Sequence, residues 1–258
     1  ASLAVAEPTK LTNQTQISEK AVQTSGTAEA VDWAGRKSSQ AYQLAKRAKE
    51  IKRDMEFMLL GEDVKAAGAA GVARKTAALN SWLGDAVAGD SNIIDGPTVA
   101  AVANAGDGTA VKAPSGADAV LTMAMLNECV EQIWKAGGSP DVIMCDASLK
   151  VKMSALAGSV VADIVSNHDK ASPASAINSV DVIVTDFGTF KIVPSRLCLP
   201  NQLYVLDYDF WSVDYLRPFQ TETLAKTGDS IKQMMIAEYG LRGKNGQASG
   251  SVIGIKAA

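Results

Sequence analysis

The sequence predicts an α+β protein, and three stretches carry that prediction. Residues 29–60 read as one long helix. Residues 119–206 alternate helix, strand, helix and hairpin. Residues 217–258 are β in character and close on a strong turn signal.

The leading residues 1–26 are polar, with a run of Thr, Gln and Ser in which Ile17 and Val22 stand alone. Such a segment can extend but has little to bury, so composition favours a free tail. If ordered, it is expected to be ordered by a neighbouring chain, through strand addition or covering.

From Gln40 onward the next stretch is rich in Ala, Leu, Lys, Arg, Glu and Met, all good helix formers. Thr27 offers an N-cap and Gly61 a stop, giving a rod of about 45 Å. Ala41, Leu44, Ala48, Ile51, Met55 and Met58 form a thin apolar seam. The other faces carry Arg36, Lys37, Lys46, Arg47, Lys49, Lys52 and Arg53. The seam alone does not choose between a core helix with a solvated face and a rod laid across an extended surface.

Residues 62–118 show turn signals at Asp95-Gly96-Pro97 and Asp107-Gly108, and Trp82 and Leu83 suggest one small apolar contact. Loops and short elements are expected there. A helix over 119–136 follows, with Leu121, Met125, Cys129, Ile133, Leu126, Val130 and Trp134 on a broad apolar face. Then come a strand at 141–145, a helix at about 147–156, and a loop around His168, Ser172 and Pro173. A hairpin joins 180–185 to 190–193 through Asp186-Phe187-Gly188-Thr189, and short strands are expected at 203–206 and 211–216. Strands at 231–241 and 251–256 are expected to pair as a hairpin through Lys244-Asn245-Gly246-Gln247, with a core at the back of the long helix.

Composition sets bounds on function. With 258 residues, 47% hydrophobic and 21% charged, the chain can fold as one large or two small domains. A net charge of -3 argues against a protein built wholly to grip nucleic acid. No apolar run reaches spanning length and no secretory signal is present, so no membrane partner is expected. Cys129, Cys145 and Cys198 are odd in number and widely spaced, which fits free thiols.

No catalytic, cofactor-binding or metal-ligating set is predicted. His168 is the one histidine, and no two cysteines have the close spacing of a structural zinc site. Asp186-Phe187-Gly188 copies a kinase tripeptide without its companion motifs. The acid pairs Asp207 with Asp209, and Glu62 with Asp63, lack a partnered base. The basic run Lys46 to Arg53 is diluted by Glu50, Asp54 and Glu56 and fits a solvated face or a salt-bridge partner for another subunit. A supporting helix without a reactive centre points to an assembly protein.

Several blocks carry a resemblance. They begin with Thr15-Gln16-Ile17-Ser18, residues 22–31, Ala34-Gly35-Arg36-Lys37, residues 41–46 and 52–56. They continue through Ala136-Gly137-Gly138, residues 184–189 and Val193-Pro194-Ser195-Arg196. They are strongest at residues 215–221, 224–230 and Ala248-Ser249-Gly250. In this order the chain resembles the major capsid proteins of tailed bacteriophages with the Hong Kong-97 type fold. The resemblance implies an N-terminal arm and remnant of an extended loop at 1–28, and a spine helix with part of a peripheral domain at 29–118. An axial domain would span 119–206, and 207–258 would return to peripheral strands. It implies a self-assembling subunit forming pentamers and hexamers of an icosahedral head around double-stranded DNA. That subunit would be a virion component assembled in the host cytoplasm. The implied partners are many copies of itself, packaged DNA contacted non-specifically, and portal, scaffold, maturation protease and decoration proteins. The axial loops near 160–173 would line the symmetry axis. Family members carry a longer leading region, so a start at Ala1 implies propeptide removal by a maturation protease or a trimmed chain. The alternatives are an encapsulin-like nanocompartment shell around protein cargo, and a nucleic-acid-binding protein using the basic helix face.

Overall fold

The computed structural model describes residues 10–85, 91–165 and 181–257, with side chains of the helix after Ala147 described through Leu156. In chain order the first elements are β1 (Gln16–Ser25), α1 (Gly26–Ala30) and α2 (Ser39–Leu60). Next come β2 (Ile93–Asp95), β3 (Ala100–Ala101), β4 (Ala119–Val120) and α3 (Met123–Lys135). Then follow β5 (Val142–Cys145), α4 (Ala147–Val165), β6 (Val182–Thr185), β7 (Gly188–Pro194) and β8 (Gln202–Leu206). The last are β9 (Trp211–Thr223), β10 (Ser230–Gly243), β11 (Gly250–Ile253) and β12 (Ile255–Lys256).

The helix expected over 29–60 is two helices separated by an elbow. Gly35 takes φ 83°, a left-handed conformation that glycine adopts without strain, and the Arg36 amide turns back to the Trp33 carbonyl. Ser38 then caps α2, its Oγ accepting from the Ala41 amide at 3.1 Å. Glu29, expected inside the rod, instead turns its carboxylate to the α2 N-terminus and accepts from the Ser39 and Gln40 amides, each at 3.1 Å. The cap of α1 is Ser25, not Thr27. The rod is therefore α2 alone, about 33 Å at 1.5 Å per residue, and it ends at Gly61 as expected.

From residue 10 onward the leading segment is ordered by its own chain, which corrects the expectation of a free tail or a neighbour's strand there, while residues 1–9 lie outside the described residues. β1 pairs antiparallel with β10 from Gln16↔Tyr239 to Ser25↔Ser230. Ahead of it, the Asn13 amide donates to the Leu241 carbonyl at 2.8 Å, and its oxygen accepts from the Ala77 amide at 2.9 Å. β9 completes a three-stranded sheet ordered β1-β10-β9 and runs seven residues past its expected end. Pro218 is tolerated because β9 is the edge strand and the register is irregular there, between Arg217↔Glu238 and Gln220↔Ile236. α2 lies on this sheet and buries Ile51 and Met55 against Tyr239.

A seven-stranded sheet, ordered β3-β2-β11-β8-β5-β7-β6, holds the main core. Along β8 the strand alternation sends Leu203 and Val205 to one face, and Tyr204 and Leu206 to the other. On the first face pack Met125, Leu126, Cys129 and Ile133 of α3 with Leu149 and Met153 of α4. On the second lie Leu60, Leu79, Trp82, Leu83 and Leu241. The end of the rod is thus anchored on the larger sheet.

Further expectations are corrected here. The stretch after α2 holds short elements as expected, but its apolar contact is larger than Trp82 and Leu83 alone: Ala77, Ala78, Leu79, Trp82, Leu83, Ile93 and Ile94 are all buried. α3 starts at Met123, because Ala119–Val120 pairs in parallel with β12. Trp134 is 63% exposed, lying against Phe187 at 6.1 Å between ring centroids instead of in the core. α4 continues to Val165, into the expected loop, while His168, Ser172 and Pro173 lie outside the described residues. The hairpin through Asp186 forms as expected, with β6 against β7.

The C-terminal hairpin does not form. β10 belongs to the smaller sheet, whereas β11 pairs with β2 and β8 in the larger one. Residues between them cross from one sheet to the other through a 3₁₀ turn at Gly246–Ala248. Gly246 lies against the Trp82 carbonyl where any Cβ would collide. Asn92 holds the crossing, its amide donating to the Gly246 carbonyl at 2.9 Å and to the Ser249 carbonyl.

Candidate functional site

The residues that could carry chemistry are dispersed. Cys129, Cys145 and Cys198 are buried and free. Burial raises the Cys129 thiol far above its usual range and pushes Cys145 and Cys198 up to about 11 and 12, so none is a thiolate near neutrality. Among the described residues no group of three or more His, Cys, Asp or Glu could hold a metal ion. The Asp207 carboxylate accepts from the Asp209 amide at 3.1 Å in a local turn, and Asp63 pairs with Lys75 at 2.9 Å. Of these groups, among the described residues, the structure brings Cys145 near Cys198, both buried and protonated near neutrality. No described helix is long and apolar enough to cross a membrane.

What the structure does assemble is surface. Between α2 and β9 runs a groove of about 390 Å³, lined by Met55, Leu59, Tyr208, Trp211, Val213 and Phe219. Its walls are mostly apolar, yet Tyr208 is 45% and Val213 37% exposed. At the far edge of the larger sheet, β6 presents Val184 at 75% exposure. Single exposed apolar residues are ordinary, but a lined apolar groove marks an interaction surface.

The smaller sheet is braced by Glu238, which is almost fully buried. The Thr15 hydroxyl donates to its Oε1 at 2.7 Å and Arg74 pairs with the same oxygen, while Arg217 Nε donates to Oε2 at 2.8 Å. One carboxylate therefore joins the leading segment, the loop after α2, and β9. The Thr15 hydrogen bond foremost, then Arg217 and Arg74, hold its pKa below the usual carboxylate value. The signal was present in the sequence as a lone acid within Ile236-Ala237-Glu238-Tyr239, but its partners lie 21 to 223 residues away. A depressed carboxylate stabilises the fold above its unfolded pKa and loses that contribution as pH falls through the folded value. Glu238→Gln is expected to lower the melting temperature at pH 7, with the gap to the parent closing toward pH 3. A gap unchanged with pH in thermal melts of unassembled subunits would contradict this.

Along α2 the sequence-predicted basic run is sorted by pairing. Arg47 bridges Glu50 at 2.5 Å, and Asp54 bridges Lys20 of β1 at 2.8 Å. At the elbow, Arg36 lies 4.4 Å from the Trp33 ring centre and 5.2 Å from that of Tyr42.

The molecule is thus a rod laid on a small sheet, anchored on a larger one and flanked by apolar surface. The same fold occurs in the capsid asymmetric unit of cyanophage A-1(L), at 11% identity and TM-score 0.65, covering 93% of this chain and 77% of that one. It occurs in that of cyanophage Pam1, at 13% identity and TM-score 0.54, covering 98% and 80%. The holo-SrpI encapsulin complex of Synechococcus elongatus PCC 7942 shares it at 8% identity and TM-score 0.56, covering 95% and 75%. At these identities the likeness is one of fold, that of Hong Kong-97-like capsid proteins. The family follows from sequence: the SU10 major capsid protein profile matches residues 1–256, and the chain belongs to that family. The major capsid protein of Escherichia phage Phieco32 is 27% identical over 269 residues, covering 92% of this chain and 74% of that protein. The protein is a structural subunit of a phage capsid, assembled from many copies of itself, and a component of the virion.

Proposed function

We propose that copies of this chain form the pentamers and hexamers of an icosahedral head that encloses double-stranded DNA. In this arrangement residues 1–28 are the arm and extended-loop remnant. Residues 29–118 give the spine and part of the peripheral domain, 119–206 the axial domain, and 207–258 the returning peripheral strands. Portal, scaffold, maturation protease and decoration proteins are its further partners. Catalysis is no part of the role.

The groove between α2 and β9 is the observation that supports this reading most directly. It is apolar and partly open. In a shell made of one repeated subunit, the occupant that fits is a second copy. Individual contacts of this kind are weak, but each subunit makes many, and obligate contacts bury more than roughly 2,000 Å². Val213→Asp places a charge at the groove and is expected to abolish shells in negative stain. Its far-UV spectrum should remain intact and its stability should change by no more than about 1 kcal/mol. Shells at parental yield would remove the groove from the contact set, and a parent chain that stays monomeric at high concentration would remove the reading itself. An encapsulin-like compartment is the second reading, supported by the SrpI likeness. Mass spectrometry and nucleic-acid content of purified particles separate protein cargo from DNA.

A further inference from the structure

We propose that the outward face of α2, continued by the elbow before it, is a strip that contacts the phosphate backbone of duplex DNA without reading sequence. This rests on the reading that the shell encloses DNA, and it locates that contact.

Tyr42, Lys46, Lys49 and Arg53 recur at steps of four, three and four, so they share one helix face, and all four are exposed. From Tyr42 to Arg53 the strip covers about 16 Å. In sequence the run looks diluted by acids, but the structure accounts for most of them. Glu50 is bound to Arg47 and Asp54 to Lys20. Glu29 is turned onto the α2 N-terminus. Glu56, which accepts from the Ser195 hydroxyl at 3.1 Å, and Asp32 remain at the ends of the strip. Among the described residues Lys46, Lys49 and Arg53 form no ion pair.

Aromatic rings support the cations at the N-terminal end. Arg36 stacks on Trp33 and Tyr42, and the Lys46 ammonium lies 5.3 Å from the Tyr42 ring centre. Stacking leaves the guanidinium edge free to donate to phosphate oxygens. The result is a row of cations along one face of the rod, with Phe57, 52% exposed, one turn beyond Arg53, and the row of charges suits a polyphosphate backbone. The net charge of -3 means that the remaining surface repels DNA, so the contact is weak and steeply salt-dependent.

The test measures binding of capsomers to a 30-base-pair duplex and to its single strand across a salt series. The strip variant combines Lys46→Gln, Lys49→Gln and Arg53→Gln. A charge-matched control combines Lys10→Gln, Lys112→Gln and Lys226→Gln. The strip variant is expected to form shells and to lose about 2 to 3 from the slope of log affinity against log salt for the duplex, while the control keeps the parental slope. An unchanged slope in the strip variant, an equal loss in the control, or binding confined to the single strand overturns the proposal. So does a strip variant that fails to assemble yet keeps its DNA affinity, which would make the strip a subunit contact. Failure of the shell reading would show separately, as a parent chain that makes no particles at all.

Discussion

Tyr204→Ala is expected to destabilise the unassembled subunit by roughly 3–5 kcal/mol in chemical denaturation. Tyr204 is fully buried on β8, among Leu60, Leu79, Leu83 and Leu241. Its hydroxyl donates to the Leu60 carbonyl at 2.9 Å and accepts from the Gln202 side-chain amide. Leu60 closes α2, so that carbonyl is one of the last four that the helix cannot satisfy itself. Truncation empties the cavity beneath the rod and strands the carbonyl together. Tyr204→Phe separates the two effects, because it keeps the ring and removes only the donor, at about 1–3 kcal/mol. Equal losses for the two variants would show that the ring does not hold the rod to the larger sheet.

Asn92→Ala is the second large effect, expected at roughly 2–5 kcal/mol. Asn92 is 1% exposed, and its amide serves the carbonyls of Gly246 and Ser249. Each buried acceptor left without a donor costs about 1–3 kcal/mol. The damage should spread locally. The Ser249 hydroxyl accepts from the Trp211 indole at 2.8 Å and from the Asp207 amide at 3.1 Å, so the start of β9 shares the same support. Hydrogen exchange at Gly250–Ile253 is expected to accelerate more than exchange in α3. Uniform acceleration across both regions would mean that Asn92 contributes to global stability without specifically holding the crossing.

Particular residues show what the sequence could disclose. α3 was legible because its buried side chains repeat at helical spacing on one face. β1 was not, because the residues it turns toward α2 include Ser18, Lys20 and Thr24. Lys20 reaches Asp54 and Thr24 reaches Gln40, so a polar pattern that reads as a tail is satisfied by the rod. The elbow was hidden by helix-forming composition after it, and the left-handed Gly35, the Ser38 cap and the capture of Glu29 by the α2 N-terminus reveal it. Lys244-Asn245-Gly246-Gln247 signals a reversal of direction but not the sheet to which the chain returns, a choice made by Asn92 and Trp82 more than a hundred residues earlier. At the candidate site, the basic residues were visible individually, whereas their sorting into paired and unpaired required the fold. The groove was invisible, since its walls come from α2, β9 and the turn before β9.

The chain enters the larger sheet at β2, leaves it after β8 for the smaller one, and re-enters at β11. Mechanical load on either sheet is therefore carried into the other through covalent backbone as well as side-chain packing. Under the outward pressure of a filled container, such a panel has no weak central seam along which to fold.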